Sequence, residues 1–357
     1  LRYPFLLYPP FMTHLPPSTS VLYLQATDER FFDAIWANAT AQERQQYAFL
    51  RTLQQANYQY RAQILSEQPI HTADVCYALA QRGLSADLGL APWLAAHAGV
   101  TAAQQDITQT SAATWLRLTP VHWAAARDHV NVHRFYGDMM AAQDRADWHA
   151  IWLNLAPWLD EMSWTLFPIE SDATVYARAP QGFDYCAPSL DYAQSDMLEA
   201  FLPNGSDLKR WQKLLTELQM LLHAHPVNTA RVQRGARPIN SLWLDQIAPA
   251  SAMPHDALNT APPMPDSTPT LSFAHSLADI AAAFKPFAQQ VQDGQTASLI
   301  LLTDTLNDTP MAVAHHFTFT PPSLWQKIRA RLGKQAPANA HPFGWLKPCC
   351  ESHEAQP

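Results

Sequence analysis

The segment Ser206–Leu244, SDLKRWQKLLTELQMLLHAHPVNTARVQRGARPINSLWL, decides the fold class. Leu208, Trp211, Leu215, Leu218 and Leu222, joined by Leu214 and Leu221, recur at helical spacing and form an apolar stripe that demands burial. Ser206, after Asn204-Gly205, is placed to cap this helix, and Asp207 puts a negative charge at its positive end. Pro226 disfavours the helical conformation at His225 and ends the helix there. Asn228 is then expected to cap a short helix carrying Thr229, Arg231 and Arg234, closed by Gly235. Ile239, Leu242, Trp243 and Leu244 suit a largely buried strand.

The flanking chain has the same mixed character. Val21–Gln25 reads as a strand. Between Asp28 and Leu65, Phe31, Phe32, Ile35, Trp36, Tyr47, Leu50 and Leu53 recur at helical spacing, with Thr40 and Glu43 forming a capping box. Short helices are expected over Thr72–Arg82, before Gly83, and over Pro92–His97, before Gly99. From Ala112 the pattern alternates. Trp115 and Arg117, then Val130 and Val132, suggest two strands on either side of a bend at Pro120-Val121-His122, with a helix following over Asp147–Leu159. Trp164–Ile169 and Thr174–Ala179 read as a hairpin across Glu170-Ser171-Asp172.

Residues 246–269 hold Pro249, Pro254, Pro262, Pro263, Pro265 and Pro269 without periodicity and read as a long loop. A helix over Ser276–Val291 and strands over Ala297–Thr303 and Ala312–Thr320 follow. Ser323–Leu332 reads as a terminal helix docked on the core. Helices alternating with strands favour an α/β fold, a mixed sheet flanked by helices. The expected organisation is a mainly helical region over 1–110, an α/β core over 111–333 and a loose tail over 334–357.

Composition narrows the function classes. The chain has 357 residues, 48% of them hydrophobic and 12 of them Trp, which suits a packed core rather than disorder. A net charge of -8 argues against a generally nucleic-acid-binding surface, because neutralising phosphates needs a basic face. With 10 Gly and none in a G-x-G-x-x-G or Walker arrangement, nucleotide binding of those types is excluded. Cys76, Cys186, Cys349 and Cys350 show neither zinc spacing nor a disulfide framework, so reduced thiols and a cytoplasmic location are expected. The N-terminal decapeptide is broken by prolines and does not read as a signal peptide, and no apolar run is long enough to span a membrane.

Two blocks carry a family resemblance. The turn His223-Ala224-His225-Pro226-Val227-Asn228, the spacing of Arg231 and Arg234, and the run Pro238-Ile239-Asn240-Ser241-Leu242-Trp243 resemble the signature of the RpfE-type regulatory proteins of proteobacteria. Trp115-Leu116-Arg117-Leu118-Thr119-Pro120-Val121-His122, with Arg127-Asp128, is similar to that family's other recurring block, so that the resemblance covers residues 110 to 330. The HPVN turn, the basic helix and the Pro-x-Asn strand also resemble archaeal-type cofactor-independent phosphoglycerate mutases. That second resemblance implies an Asp-Gly metal motif after the first strand and a Ser or Thr nucleophile between two metals. Here Val21–Gln25 is followed by Ala26-Thr27-Asp28-Glu29-Arg30, without Gly, and no matching nucleophile block is present. A related scaffold without the chemistry is the more economical reading.

The polar residues of the blocks support two readings. Arg117, His122, Arg127, His225, Asn228, Arg231, Arg234, Asn240 and Ser241 could hold a small anionic metabolite between them, since Arg forks suit carboxylate or phosphate. The same groups could instead cap helices and tie a buried turn to the sheet. His223 and His225 lie two apart, too divergent on a helix to share a metal, and suit dipole and carbonyl contacts at its end. Asp304, Asp308, His315 and His316 are the remaining acid and His cluster, with Asp304, His315 and His316 the weak metal candidates. The expectation is a non-catalytic regulatory or interaction protein that needs no cofactor and has a small anion or a protein as its partner. The alternative is a metal-dependent phosphotransfer enzyme using a divalent cation.

Overall fold

A computed structural model describes residues 19–24, 37–47, 49, 53, 56–67, 69–125, 130–135, 142–160, 163–169, 173–179, 183–193, 203–264, 270–271, 277–306 and 309–322. In chain order the elements begin with β1 (Thr19–Leu24), α1 (Ala41–Gln46), β2 (Asn57–Ser66), α2 (Ala73–Gln81), α3 (Ala91–His97) and α4 (Thr101–Thr108). The middle of the chain forms β3 (Thr114–Ala125), β4 (Val130–Arg134), α5 (Ala142–Asp160), β5 (Thr165–Pro168), β6 (Val175–Ala179) and α6 (Leu190–Ala193). Then come α7 (Leu208–Ala224), α8 (Pro226–Gln233), β7 (Ser241–Pro249), β8 (Thr270–Leu271), α9 (Leu277–Gln292), β9 (Ala297–Leu306) and β10 (Thr309–Thr320). The fold is α/β, with strands in two sheets flanked by helices.

The chain divides into two compact units, one of residues 1–69, 73–83 and 265–357, the other of 70–72 and 84–264. This partition departs from the expected boundary at residue 110, because β1 pairs with β9 and β2 with β10, joining the two ends of the chain. The first unit's sheet runs β2-β10-β9-β1-β8 and is mixed: β1 is parallel to β8 and β9, and β10 is antiparallel to β9 and β2. Leu299 and Leu301 of β9 join Phe317 and Phe319 of β10 on the face covered by Ile280, Phe284, Phe287 and Val291 of α9. Ile300 and Leu302 point the other way and are buried as well, which accounts for the unbroken apolar run of β9.

His315 lies on the α9 side of this sheet, fully buried, its Nδ1 sharing a 2.8 Å hydrogen bond with the Tyr60 hydroxyl and its Nε2 a 2.9 Å bond with that of Thr303. Neutral imidazole satisfies both partners. Burial, with a smaller effect of His316, pushes its pKa down to about 4. The unfolded chain therefore takes up this proton more readily than the folded one. His315 leaves stability unchanged above its unfolded pKa near 6.5, and stability falls as pH drops from there toward 4, by roughly 3 kcal/mol over the window. Urea unfolding midpoints across this pH range check it: the wild type should show the decline, and His315→Gln should flatten it.

The second unit's sheet is antiparallel, in the order β4-β3-β6-β5 with β7 on the other side of β3. Leu116 and Leu118 of β3, Val175 and Ala177 of β6, and Leu242 and Leu244 of β7 meet Ile151 and Leu155 of α5 and Trp211, Leu218 and Leu222 of α7. Trp115 and Arg117 alternate with those leucines and face the opposite side, where the Trp115 indole donates to Asp106 of α4. β3 runs straight through Pro120, where a bend was expected. The Val121 carbonyl accepts from Asn240 on the β7 side, so Pro120 turns toward the other side, where β6 pairing ends at Leu118 and β4 pairing starts at Val121. The missing N–H of Pro120 thus falls in the gap between two partners and costs no ladder bond.

Several other expectations change for physical reasons. The capping box of Thr40 and Glu43 forms, but β2 replaces the helix expected to reach Leu65. The N-cap of α7 is Asp207 rather than Ser206; Ser206 instead donates its N–H to Asp184. Asn228 lies inside α8, and His225 takes the capping position, its Nδ1 accepting the Val227 N–H, with Pro226 in the first turn. Residues 246–249 of the expected loop belong to β7, and beyond them Ala257 is buried while His97 donates to its carbonyl. The expected helix over 323–332, the tail over 334–357 and residues 26–30 and 170–172 lie outside the described residues.

Candidate functional site

The polar residues of the two resembling blocks lie in the second unit, where β7 brings them together by pairing with β3 from Thr114 to Val121. Asn240 continues this pairing with its side chain: its amide nitrogen donates to the Trp123 carbonyl and its oxygen accepts the Trp123 N–H, at 2.8 and 2.7 Å. His122 donates from Nδ1 to the Pro238 carbonyl at 2.9 Å and stacks on His133 across the β3–β4 ladder. Burial pushes the His122 pKa down; the Pro238 bond opposes this, and His133, Arg237 and Arg231 push further down. Ser241 is fully buried and accepts from Gln219 of α7 at 3.3 Å.

α8 supplies the densest cluster. The buried Asn228 amide donates to the Leu222 and Ile239 carbonyls and accepts the Ile239 N–H, so one side chain joins the end of α7, α8 and the entry to β7. Arg231 is 1% exposed and donates to the Arg237 carbonyl, to Asp144 at 2.8 Å and to Asp147 at 2.5 Å, with its guanidinium over the Phe135 ring. Arg234 also pairs with Asp147. Burial acts to raise the Asp147 pKa, but hydrogen bonds from Gln143, Arg231 and Arg234 outweigh it and hold the carboxyl below its usual range. Two α5 carboxylates therefore occupy the place that an external anion would take.

Arg117 lies on the other face of the sheet. It forms a two-pronged pair with Asp245, directly opposite on β7, at 2.8 and 2.6 Å, and Asp245 also accepts the Leu190 N–H. The expectation that Arg117 and Arg231 converge on one ligand is corrected by β-strand alternation: Arg117 projects away from Leu116 and Leu118, toward the side opposite α5 and α7. The candidates Arg117, His122, Asn228, Arg231, Arg234, Asn240 and Ser241 each bond to groups of the chain itself. Buried polar groups need partners, and here the fold supplies them. His225 caps α8, and its Nε2 lies 3.1 Å from the Asn154 amide. Arg127 and Asp128 lie outside the described residues.

The metal candidates do not fit a shared cation. Asp304 points to the face of β9 opposite His315 and accepts the Ala73 N–H at the start of α2. His316 is on Asp304's face but pairs in register with Ile300, four residues along β9, a separation of about 13 Å. Both ring nitrogens of His315 are engaged. Among the described residues, no group of three His, Cys, Asp or Glu side chains could hold a metal ion.

Sequence reading missed Asp144, Asp147 and Asp245, which complete the arginine clusters, and Gln246, whose side chain accepts the Leu90 N–H. Gln246 adopts φ 61° beside the irregular pairing between Trp115 and Arg117. Its partner Leu90 follows Gly89, where a Cβ would come within 2.1 Å of the Ile247 carbonyl oxygen. The Arg117–Asp245 partners lie 128 residues apart, so no local spacing rule could have flagged them.

A second feature of this unit is an open groove of about 970 Å³ between α5 and α7, lined also by His225, Pro226 and Val227 of the α7–α8 turn. Ala150, Asn154, Leu155 and Trp158 line one side, and Glu217, Met220, Leu221 and Ala224 the other. Met220 is 70% exposed and Leu221 47%, so the expected apolar stripe of α7 splits: Trp211, Leu218 and Leu222 enter the core while Leu221 lines the groove.

Compared with known proteins, the chain has a short similarity to cofactor-independent phosphoglycerate mutases. It is 34% identical over 59 residues to the 2,3-bisphosphoglycerate-independent phosphoglycerate mutase of Methanosarcina mazei and 36% identical, over the same length, to that of Methanosarcina acetivorans. Each match spans 16% of this chain and 15% of the relative. Among solved structures, a Pyrococcus horikoshii protein aligns with a TM-score of 0.38 at 10% identity, over 85% of this chain and 87% of that one. The cofactor-independent phosphoglycerate mutase of Thermoplasma acidophilum aligns with a TM-score of 0.29 at 13% identity, over 85% and 89%. No family model matches the chain.

Proposed function

We propose that this chain is a non-catalytic cytoplasmic regulatory or interaction protein, of the kind its resemblance to RpfE-type proteins implies. One observation carries the reading: Arg117, Arg231 and Arg234, the described arginines of the two resembling blocks, are spent on Asp245, Asp144 and Asp147 of the same chain. An enzyme site keeps such groups directed at a substrate, whereas these tie β3 to β7 and α8 to α5. The blocks then preserve a scaffold, and function passes to the surface.

The second reading, metal-dependent phosphotransfer, is favoured by the short identity to the two Methanosarcina mutases. Elemental analysis of the purified chain, with mutase and phosphatase assays in manganese, separates the two. The regulatory reading expects substoichiometric metal and no turnover. Stoichiometric metal, with turnover abolished by Asp304→Asn in a variant that melts like the wild type, would replace it with the enzymatic reading.

A further inference from the structure

Among the described strands, β2 is the long one at the end of a sheet. It pairs with β10 from Asn57 to Ser66 and is exposed at Tyr58, Gln59, Ala62 and Ile64. Its sequence, NYQYRAQILS, holds no Pro, Gly, Lys or acidic residue, the devices with which proteins keep an edge from pairing with another chain. The other described end strands are short: β8 has two residues, β5 has four with Pro168 at its end, and β4 has five. The longer β7, beside β3, is buried from Ser241 to Gln246.

The chemistry of this edge suits its own copy. Tyr58, Tyr60, Ala62 and Ile64 share the face that carries Phe317 and Phe319, and both tyrosines pack on those rings. The apolar layer under α9 therefore runs out to the edge, where Tyr58 is 39% and Ile64 47% exposed. Two-fold symmetry then fixes which residues of two antiparallel copies can meet. Centring the pairing on Arg61 sets two like charges opposite each other, which is destabilising. Centring it on Gln63 runs it into the irregularity between Ile64 and Ser66, and centring it on Tyr60 leaves Ile64 outside it. Centring on Ala62 places Tyr60 opposite the second copy's Ile64 and Arg61 opposite the second copy's Gln63, an aromatic on a β-branched side chain and a charge on an amide. We propose that β2 pairs antiparallel with β2 of a second copy about Ala62, joining the two five-stranded sheets into one. This pairing closes the edge on both copies, so assembly through it stops at two. The proposal rests on the interaction reading above and names a second copy as the partner.

The test is equilibrium sedimentation of the full chain over a range of concentrations. The wild type should approach twice the 40.0 kDa of one chain as concentration rises. Ala62→Lys and Ala62→Glu should each raise the dimer dissociation constant at least about tenfold, because like charges then face each other across the axis. Circular dichroism of both should match the wild type, since Ala62 is exposed. Mixing the two variants in equal amounts should restore dimers, because Lys then faces Glu. Hydrogen exchange of the wild-type β2 amides should slow as the dimer forms, a readout that needs no variant. A single-chain mass at every concentration, dimers indifferent to Ala62→Lys, or no dimer in the mixture would overturn the proposal; the first would leave the edge to an extended segment of another protein. Turnover in the metal assays would remove the regulatory reading without changing these masses, and a single-chain mass would remove the dimer without creating turnover.

Discussion

Arg231→Gln is expected to destabilise the ligand-free protein by about 3 kcal/mol, the lower end for breaking a buried ion pair. Arg231 is 1% exposed, and three partners depend on it: Asp144, Asp147 and the Arg237 carbonyl. Glutamine is shorter and uncharged, so it leaves Asp144 without its cation and the Arg237 carbonyl without its donor. Arg234 remains on Asp147, which moderates the loss. Arg231→Lys should recover only part of it, because an ammonium cannot reproduce the planar fork that serves both carboxylates and the carbonyl. Chemical denaturation at neutral pH reads the effect; a midpoint within error of the wild type would show that the cluster contributes no net stability.

Leu218→Ala should cost 2 to 5 kcal/mol, roughly the range for truncating a buried leucine. Leu218 is fully buried among the residues of α5, β3 and β7, so its methyl groups have no solvent-side refuge, and the cavity they leave can close only by moving the sheet or α5. Lys209→Ala on the exposed side of the same helix is the control, expected within about 0.5 kcal/mol of the wild type. The contrast separates burial from helix propensity, because alanine is the better helix former in both replacements. Equal small effects would place the α7 stripe at a weak interface instead of in the core.

How far the sequence carried depended on whether a signal was local. The α7 stripe, the Thr40–Glu43 capping box and the β5–β6 hairpin each lie within a short window, and each is present. Pro226 marked the end of α7, but it also starts α8, since a proline in the first turn gives up only an N–H that has no helical partner. In β2, Tyr58, Tyr60, Ala62 and Ile64 alternate as a strand should, but the helical spacing of the preceding residues masked them. The site was legible as a set of residues and not as an arrangement. Arg231 and Arg234 announce a need for carboxylates, yet Asp144 and Asp147 lie more than eighty residues upstream, and only the packing of α5 against α8 connects them. For Arg117, the period-2 alternation of β3 settles which face it takes, but the sequence does not say which face α5 and α7 cover.

In the function proposed above, Arg117, Arg231 and Arg234 are internal ties. Thermal unfolding of the wild type and Arg231→Gln, each with and without phosphate at constant ionic strength, tests it most directly. An internal tie predicts a large drop in the unliganded midpoint of Arg231→Gln and the same small phosphate effect on both proteins. A ligand site would stabilise the wild type in step with phosphate occupancy, by mass action. Equal unliganded midpoints, with phosphate protecting the wild type alone, would make Arg231 a ligand-binding residue instead.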